Sequence, residues 1–219
     1  MFKGTSASAG IGIGKAVIVE EAELVITRNE VADAEAEIQR FKGALEKTIA
    51  ATQKMADDLA SRVGEKEAEI MQGHMMLLSD PMLTGEIENS VKNDKVNCEF
   101  AIENVCNMYA DMFASMGDEL MQQRATDMRD IKVRMQRTLM GLESVDVSLL
   151  PKGSILVAKD LTPSMTAGIN PENVSGIVTE LGGKTSHSAI LARALEIPAV
   201  VAVNGLMDAV KDGDSVVLD

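Results

Sequence analysis

The densest grouping of chemically capable side chains is LGGKTSHSAILARALEIPAV, residues 181–200, where two glycines, a lysine and two hydroxyl residues lead into a histidine and an apolar run. Ser186 or Thr185 suits the cap of a helix that begins there, and the unpaired amides of a first helical turn attract anions. Gly182 and Gly183 let the backbone approach a bulky anion, and Lys184 adds a positive charge. An imidazole in that setting supplies a neutral nitrogen near neutral pH that can attack phosphorus directly. His187 is therefore read as a nucleophile that carries a phosphoryl group, with Lys184, Thr185, Ser186 and the first-turn amides stabilising it. A histidine opening a helix also serves as an ordinary packed residue, and the residue types alone leave that alternative standing.

Other chemistries fit less well. The chain has two histidines and two cysteines, none at ligand spacing from another, so no metal site is expected. A serine hydrolase would need a Gly-x-Ser-x-Gly elbow, which is absent. Glycines punctuate the opening FKGTSASAGIGIGKAVIV, but no Gly-x-Gly-x-x-Gly runs from a strand into a helix, which argues against a nucleotide loop. His74, set among Met71, Met75 and Leu78, reads as a packed helical residue. Cys98 and Cys106 lie along one helical run and read as buried thiols in a reducing compartment.

The net charge of −13 excludes nucleic acid as an expected partner and favours a basic protein, most of all for residues 21–140, where the acidic excess is concentrated. Most of the 15 methionines fall in the same stretch, as expected of an adaptable helical core or an apolar docking face. No apolar run is long enough for a membrane span and neither end resembles a signal peptide, so a cytoplasmic protein is expected.

Two textures of sequence must position these groups. Ala16 to Val19, SILVA at 154–158, VSGIVT at 174–179, AVVAV at 199–203 and SVVLD at 215–219 are β-branched runs, with helices expected near 163–169 and 187–196. From about residue 29 the apolar period becomes helical, through Val31, Ala34, Ile38, Phe41, Leu45 and onward to Leu59, with Gly64 as an interruption. Further helices are expected over 65–78, from Asp80-Pro81, over 97–116 and over 119–140. The expected architecture is an α/β domain formed by residues 1–23 and 144–219, with an all-helical subdomain, 24–143, inserted into it.

GGKTSHSAILARALEIPAVV resembles the phosphohistidine signature of the phosphoenolpyruvate (PEP)-utilising enzymes, and DLTPSMTAGI at 160–169 resembles its upstream companion. Within that family, GEKEAEIMQGHMMLLSDPML (64–83) and RATDMRDIKVRMQRTLMG (124–141) look like the enzyme I branch, the PEP–protein phosphotransferases, rather than the dikinases. The resemblance implies phosphorylation of His187 on Nε2 and reversible exchange with the phosphocarrier protein HPr. It implies that Thr166 contacts the histidine through its hydroxyl, and that Glu65, Gln72, Met76, Leu77, Leu83, Phe113, Met121, Arg124 and Arg129 form the HPr-binding face. It also implies a PEP- and Mg²⁺-binding, dimerising region beyond residue 219, without which this chain would exchange phosphate only with phospho-HPr and remain monomeric. The competing expectations are the mobile domain of a pyruvate phosphate dikinase or PEP synthase, and a non-catalytic helical scaffold.

Overall fold

The structure, a computed structural model, describes residues 1–219. The chain divides into two compact units: Met1–Glu21, Leu59–Glu67 and Val145–Asp219 in one, and Ala22–Asp58 with Ala68–Ser144 in the other. The first is an α/β unit; the second, whose regular elements are all helices, is inserted into it in the chain. No helix is long and apolar enough to cross a membrane.

The α/β unit is built on a six-stranded sheet of order β1-β5-β4-β3-β2-β6. Its strands are β1 (Thr5–Ser8), β2 (Gly12–Ile18), β3 (Ser154–Ala158), β4 (Val174–Thr179), β5 (Ala199–Val201) and β6 (Ser215–Leu218). β2, β3, β4 and β5 run parallel, while β1 and β6 close the two edges antiparallel. All five residues of β3 are buried, as expected of a central strand covered on both faces. The period of two then sorts its side chains. Leu156 and Ala158 join Ile177, Ala199 and Val201 in one core, whereas Ile155 and Val157 join Ala16, Val178 and Leu218 in the other. One opening glycine is explained by this packing: a methyl group on Gly14 would collide with the carbonyl oxygen of Gly153. Three short helices, α6 (Pro163–Gly168), α7 (His187–Ala194) and α8 (Leu206–Ala209), complete the unit. Ala189 and Ala192 bring α7 down onto the Leu156 side of the sheet.

The helical unit comprises α3 (Pro81–Asp94), α4 (Cys98–Ser115) and α5 (Glu119–Met140), together with most of α1 (Ala34–Arg62) and of α2 (Glu65–Leu78). α1 starts later than its periodicity suggests, because the Asp33 carboxylate accepts from the Glu35 and Ala36 amides and sets the first turn there. Asp80 caps α3 through the Met82 amide at 2.8 Å, with Pro81 following, and Asp118 caps α5 through the Leu120 amide at 2.8 Å. Gly141, at φ 67°, ends α5 in the left-handed conformation that glycine tolerates best. Ile87, Ile102, Met128, Ile131 and Met135 fill the core.

Two boundaries differ from the sequence reading. Residues 59–67, expected in the helical insertion, group with the sheet unit, where Arg62 donates to the carbonyls of Ala167 and Ile169 at 2.6 Å each. The sheet also gains β1, whose polar TSAS sequence pairs along β5 at the edge, Thr5 opposite Val201.

Both cysteines are buried free thiols. Burial pushes the Cys106 thiol up to about 12, and burial followed by the nearby Glu37 raises Cys98 further still. Burial thus disfavours the thiolate of both residues at neutral pH.

The helical unit carries a defined acid sensitivity. Burial alone would raise Glu99 and Glu103, but hydrogen bonds from Arg40 and Asn97 to the first, and from Gln136, Lys132 and Asn107 to the second, hold both below the ordinary carboxylate range. A lowered carboxyl pKa stabilises the fold above the unfolded value of about 4.3, and that stability is lost as pH falls through the lowered values. The double variant Glu99→Gln/Glu103→Gln should therefore show a shallower fall of melting temperature than wild type between about pH 5 and pH 2. Parallel curves over that window would contradict the assignment.

Candidate functional site

His187 is the first residue of α7, and Ser186 is its N-cap. The Ser186 hydroxyl accepts from the Ala189 amide at 3.3 Å and donates to the Gly183 carbonyl at 2.9 Å, tying the helix start to the glycine turn. Ser188, which the sequence reading did not single out, adds a hydroxyl 2.9 Å from that of Ser186. Gly182 sits at φ +97°, a conformation that explains the glycine there. A methyl on Gly183 would meet nothing within 4 Å, so the space beside the loop is open to an incoming group. Lys184 and Thr185 are exposed, whereas His187 is only 9% exposed at the base of the loop. A histidine held this way sits at a helix N-terminus, where the local dipole favours negative charge.

Three further residues shape the loop without having been visible as site residues in the sequence. Thr179 donates its hydroxyl to the Leu181 carbonyl at 2.6 Å, fixing the exit from β4. Arg193, near the end of α7, donates Nη1 to the carbonyls of Lys184 at 3.0 Å and Ala7 at 2.9 Å, fastening the loop to β1. Asp160 would lie 3.8 Å from a methyl on Gly182. Its carboxyl is pushed up by the protein behind it, partly offset by the Leu161 amide that it accepts from at 2.8 Å.

Thr166 is fully buried in α6, which Thr162 caps through the Met165 amide and which packs against α7. Its hydroxyl donates to the Thr162 carbonyl at 2.9 Å. The proton of Thr166 is thus committed within its own helix, and a contact with imidazole would use the oxygen as acceptor.

Cap removal should be felt at this site. Ser186→Ala leaves the Ala189 amide without its side-chain acceptor, and is expected to cost about 1 kcal/mol. Thermal unfolding reads this directly; an unchanged melting temperature would contradict the capping role.

The residues assigned by resemblance to a partner face divide in the structure. Gln72, Met76 and Arg129 are exposed, while Leu77, Phe113, Met121 and Arg124 are partly buried. Leu83 differs from the others in its burial. At 2% exposure it belongs to the core, because Leu83, Ile87 and Val91 form the inward stripe of α3. Glu65 is exposed but groups with the α/β unit rather than the helical one. Arg129 approaches Asp111 at 4.0 Å in an exposed pair, which contributes little. Exposed methionines that the sequence did not single out by position are prominent. Met108 and Met112 lie on one exposed face of α4, Met116 follows at its C-cap, and Met82 is 68% exposed. His74 is fully buried and bonded to Asp127, with Nε2 3.2 Å from Oδ1.

Residues 3–124 match the family model described as PEP-utilising enzyme, N-terminal, and residues 150–219 match that described as PEP-utilising enzyme, mobile domain. The phosphoenolpyruvate-protein phosphotransferase of Bacillus subtilis (strain 168) is 41% identical over 218 residues, covering 100% of this chain and 38% of the relative. The Listeria monocytogenes serovar 1/2a protein of that name is 42% identical over 218 residues, with the same coverage. The chain thus spans 38% of the length of these relatives. Among solved structures, the solution structure of Enzyme I (nEIt) is 40% identical with a TM-score of 0.84, covering 100% of this chain and 89% of that one. The N-terminal domain of Enzyme 1 - Nitrogen, 24% identical with a TM-score of 0.66, shares the fold.

Proposed function

The chain belongs to the PEP-utilising enzyme family, and from that premise we propose that it is the phosphohistidine-bearing portion of a PEP–protein phosphotransferase, exchanging a phosphoryl group between His187 and HPr. The observation that carries this reading is the placement of His187 as the first residue of α7, behind a Ser186 cap and a Gly182 turn at φ +97°.

The chemistry follows from the groups present. The Nε2 lone pair of His187 attacks the phosphorus of phospho-HPr. A P–N bond forms at His187 as the P–N bond to the carrier's imidazole breaks, and that imidazole leaves with its electron pair. With Nδ1 still protonated the newly phosphorylated ring is cationic; loss of that proton leaves a neutral ring bearing the charged phosphoryl group, while the departing carrier imidazole takes up a proton. The dipole of α7, the loop hydroxyls and Lys184 offset that charge. Running backwards, the same step returns the group to HPr.

In the longer relatives, PEP would deliver the phosphoryl group through segments that this chain does not contain. Mg²⁺ belongs to that part of the proposal. In this chain no three His, Cys, Asp or Glu side chains are grouped to hold a metal ion, and no step here uses one.

HPr would dock on the helical unit. The support is its exposed methionine surface, including Met76 at 72% exposure, beside charged residues and within the acidic part of the chain. An apolar centre with a charged rim suits a transient protein interface. The alternative, a dikinase-type mobile domain served by other domains of one chain, predicts no HPr binding.

Mixing HPr labelled with radioactive phosphate on its histidine with the chain at neutral pH separates these readings. Label should move reversibly to the chain. Binding without transfer would overturn the site, and absence of binding would favour the dikinase-type arrangement.

A further inference from the structure

We propose that Gly73, His74 and Asp127 are positioning residues that hold the Arg124 guanidinium ready for an anionic group on the docked phosphocarrier; the inference rests on the docking role proposed above. Gly73 lies inside α2, where glycine is among the least favourable residues, so a local reason for its presence is required. A methyl group placed on it would lie 2.5 Å from Arg124 Nη1, 3.5 Å from Cζ and 3.7 Å from Nη2. The guanidinium of α5 therefore rests against the bare backbone of α2, in space that any side chain at position 73 would take.

Its direction is set from the other side. Arg124 Nη1 donates to Asp127 Oδ2 at 3.4 Å, one turn along the same helix. Asp127 is 4% exposed, and its second oxygen, Oδ1, accepts from Nε2 of the fully buried His74 at 3.2 Å. The carboxylate is thus pinned between an imidazole on α2 and a guanidinium on α5. The remaining ring nitrogen of His74 lies 4.0 Å from Asp130 Oδ2, without a hydrogen bond. The Arg124 side chain keeps 34% of its surface exposed. Its planar fork has N–H donors beyond the one that Asp127 accepts, the geometry suited to a carboxylate or phosphoryl group. Holding such a long side chain in one orientation before binding lowers the entropy lost on docking.

A purely structural role and a positioning role predict opposite results for Gly73→Ala. The obstructing atoms are the end of a flexible side chain, so alanine displaces the guanidinium and leaves the helices in place. Alanine also favours the helix, so the melting temperature should hold or rise while HPr affinity falls about tenfold, the loss of one well-placed interfacial arginine. His74→Gln can place an amide N–H where Nε2 stands and should retain wild-type affinity; His74→Leu cannot, and should lose affinity. In an Arg124→Ala background, Gly73→Ala should cause no further loss. Titration calorimetry with HPr on the full chain reads all of these. If wild type does not bind HPr, the docking reading falls and this inference with it. If wild type binds and Gly73→Ala binds equally well, or weakens binding equally without Arg124, this inference alone is overturned.

Discussion

His187→Ala is expected to acquire no label from phospho-HPr while keeping the wild-type fold and HPr affinity. The loss should be complete, because the variant removes the attacking lone pair itself; the cap, the dipole and Lys184 only support it. The second histidine offers no substitute: His74 is fully buried, and its Nε2 is bonded to Asp127. His74→Gln should accordingly retain label at position 187. Alanine at position 187 leaves the Ser186 cap and the Gly182 turn intact, and a cooperative thermal transition checks that the variant remains folded. Label on His187→Ala at a wild-type rate would place the chemistry elsewhere.

Ile102→Ala is expected to produce the largest loss of stability, about 2–5 kcal/mol, because it removes buried carbon and leaves a cavity that the surroundings only partly fill. Ile102 is fully buried in α4, within the cluster formed with Ile87, Met128 and Ile131, and α4 packs against both α3 and α5. Methionine neighbours can relax into part of the space, which should keep the loss below the upper end of the range. Ile102→Val should cost about 0.5–1.5 kcal/mol. Urea unfolding followed by circular dichroism gives both values. A loss under about 1 kcal/mol for the alanine variant would contradict a tightly packed core at this position. Since α4 also presents Met108 and Met112 on its outer face, HPr affinity should decline with it.

Much of this architecture was legible in residue patterns. SILVA and VSGIVT declare central strands because buried parallel strands are β-branched along their length. Asp80-Pro81 and Gly141 mark helix ends through caps that depend on local chemistry alone. The candidate site could be read from GGKTSH because a helix N-terminus and the histidine that opens it are contiguous in sequence.

What escaped was long-range. β1 has no apolar signature, since TSAS gains its structure from pairing with Ala199–Val201. The burial of Leu83 was not legible either, because only the packing of α3 shows that its stripe faces inward. Arg193 reads as a helix-end charge until its guanidinium is seen to fasten Ala7 and Lys184 together. The His74–Asp127 bond joins residues on two helices, beyond the reach of any local period.

The most direct test of the central claim is the position of the phosphate itself. After incubation with phospho-HPr, the chain would be analysed by ³¹P NMR and by tandem mass spectrometry of its peptides under mildly alkaline conditions. The account predicts one acid-labile, base-stable phosphoryl group on Nε2 of His187. Phosphate on a hydroxyl such as Ser186 or Thr185, or on any other residue with His187 unmodified, would contradict it.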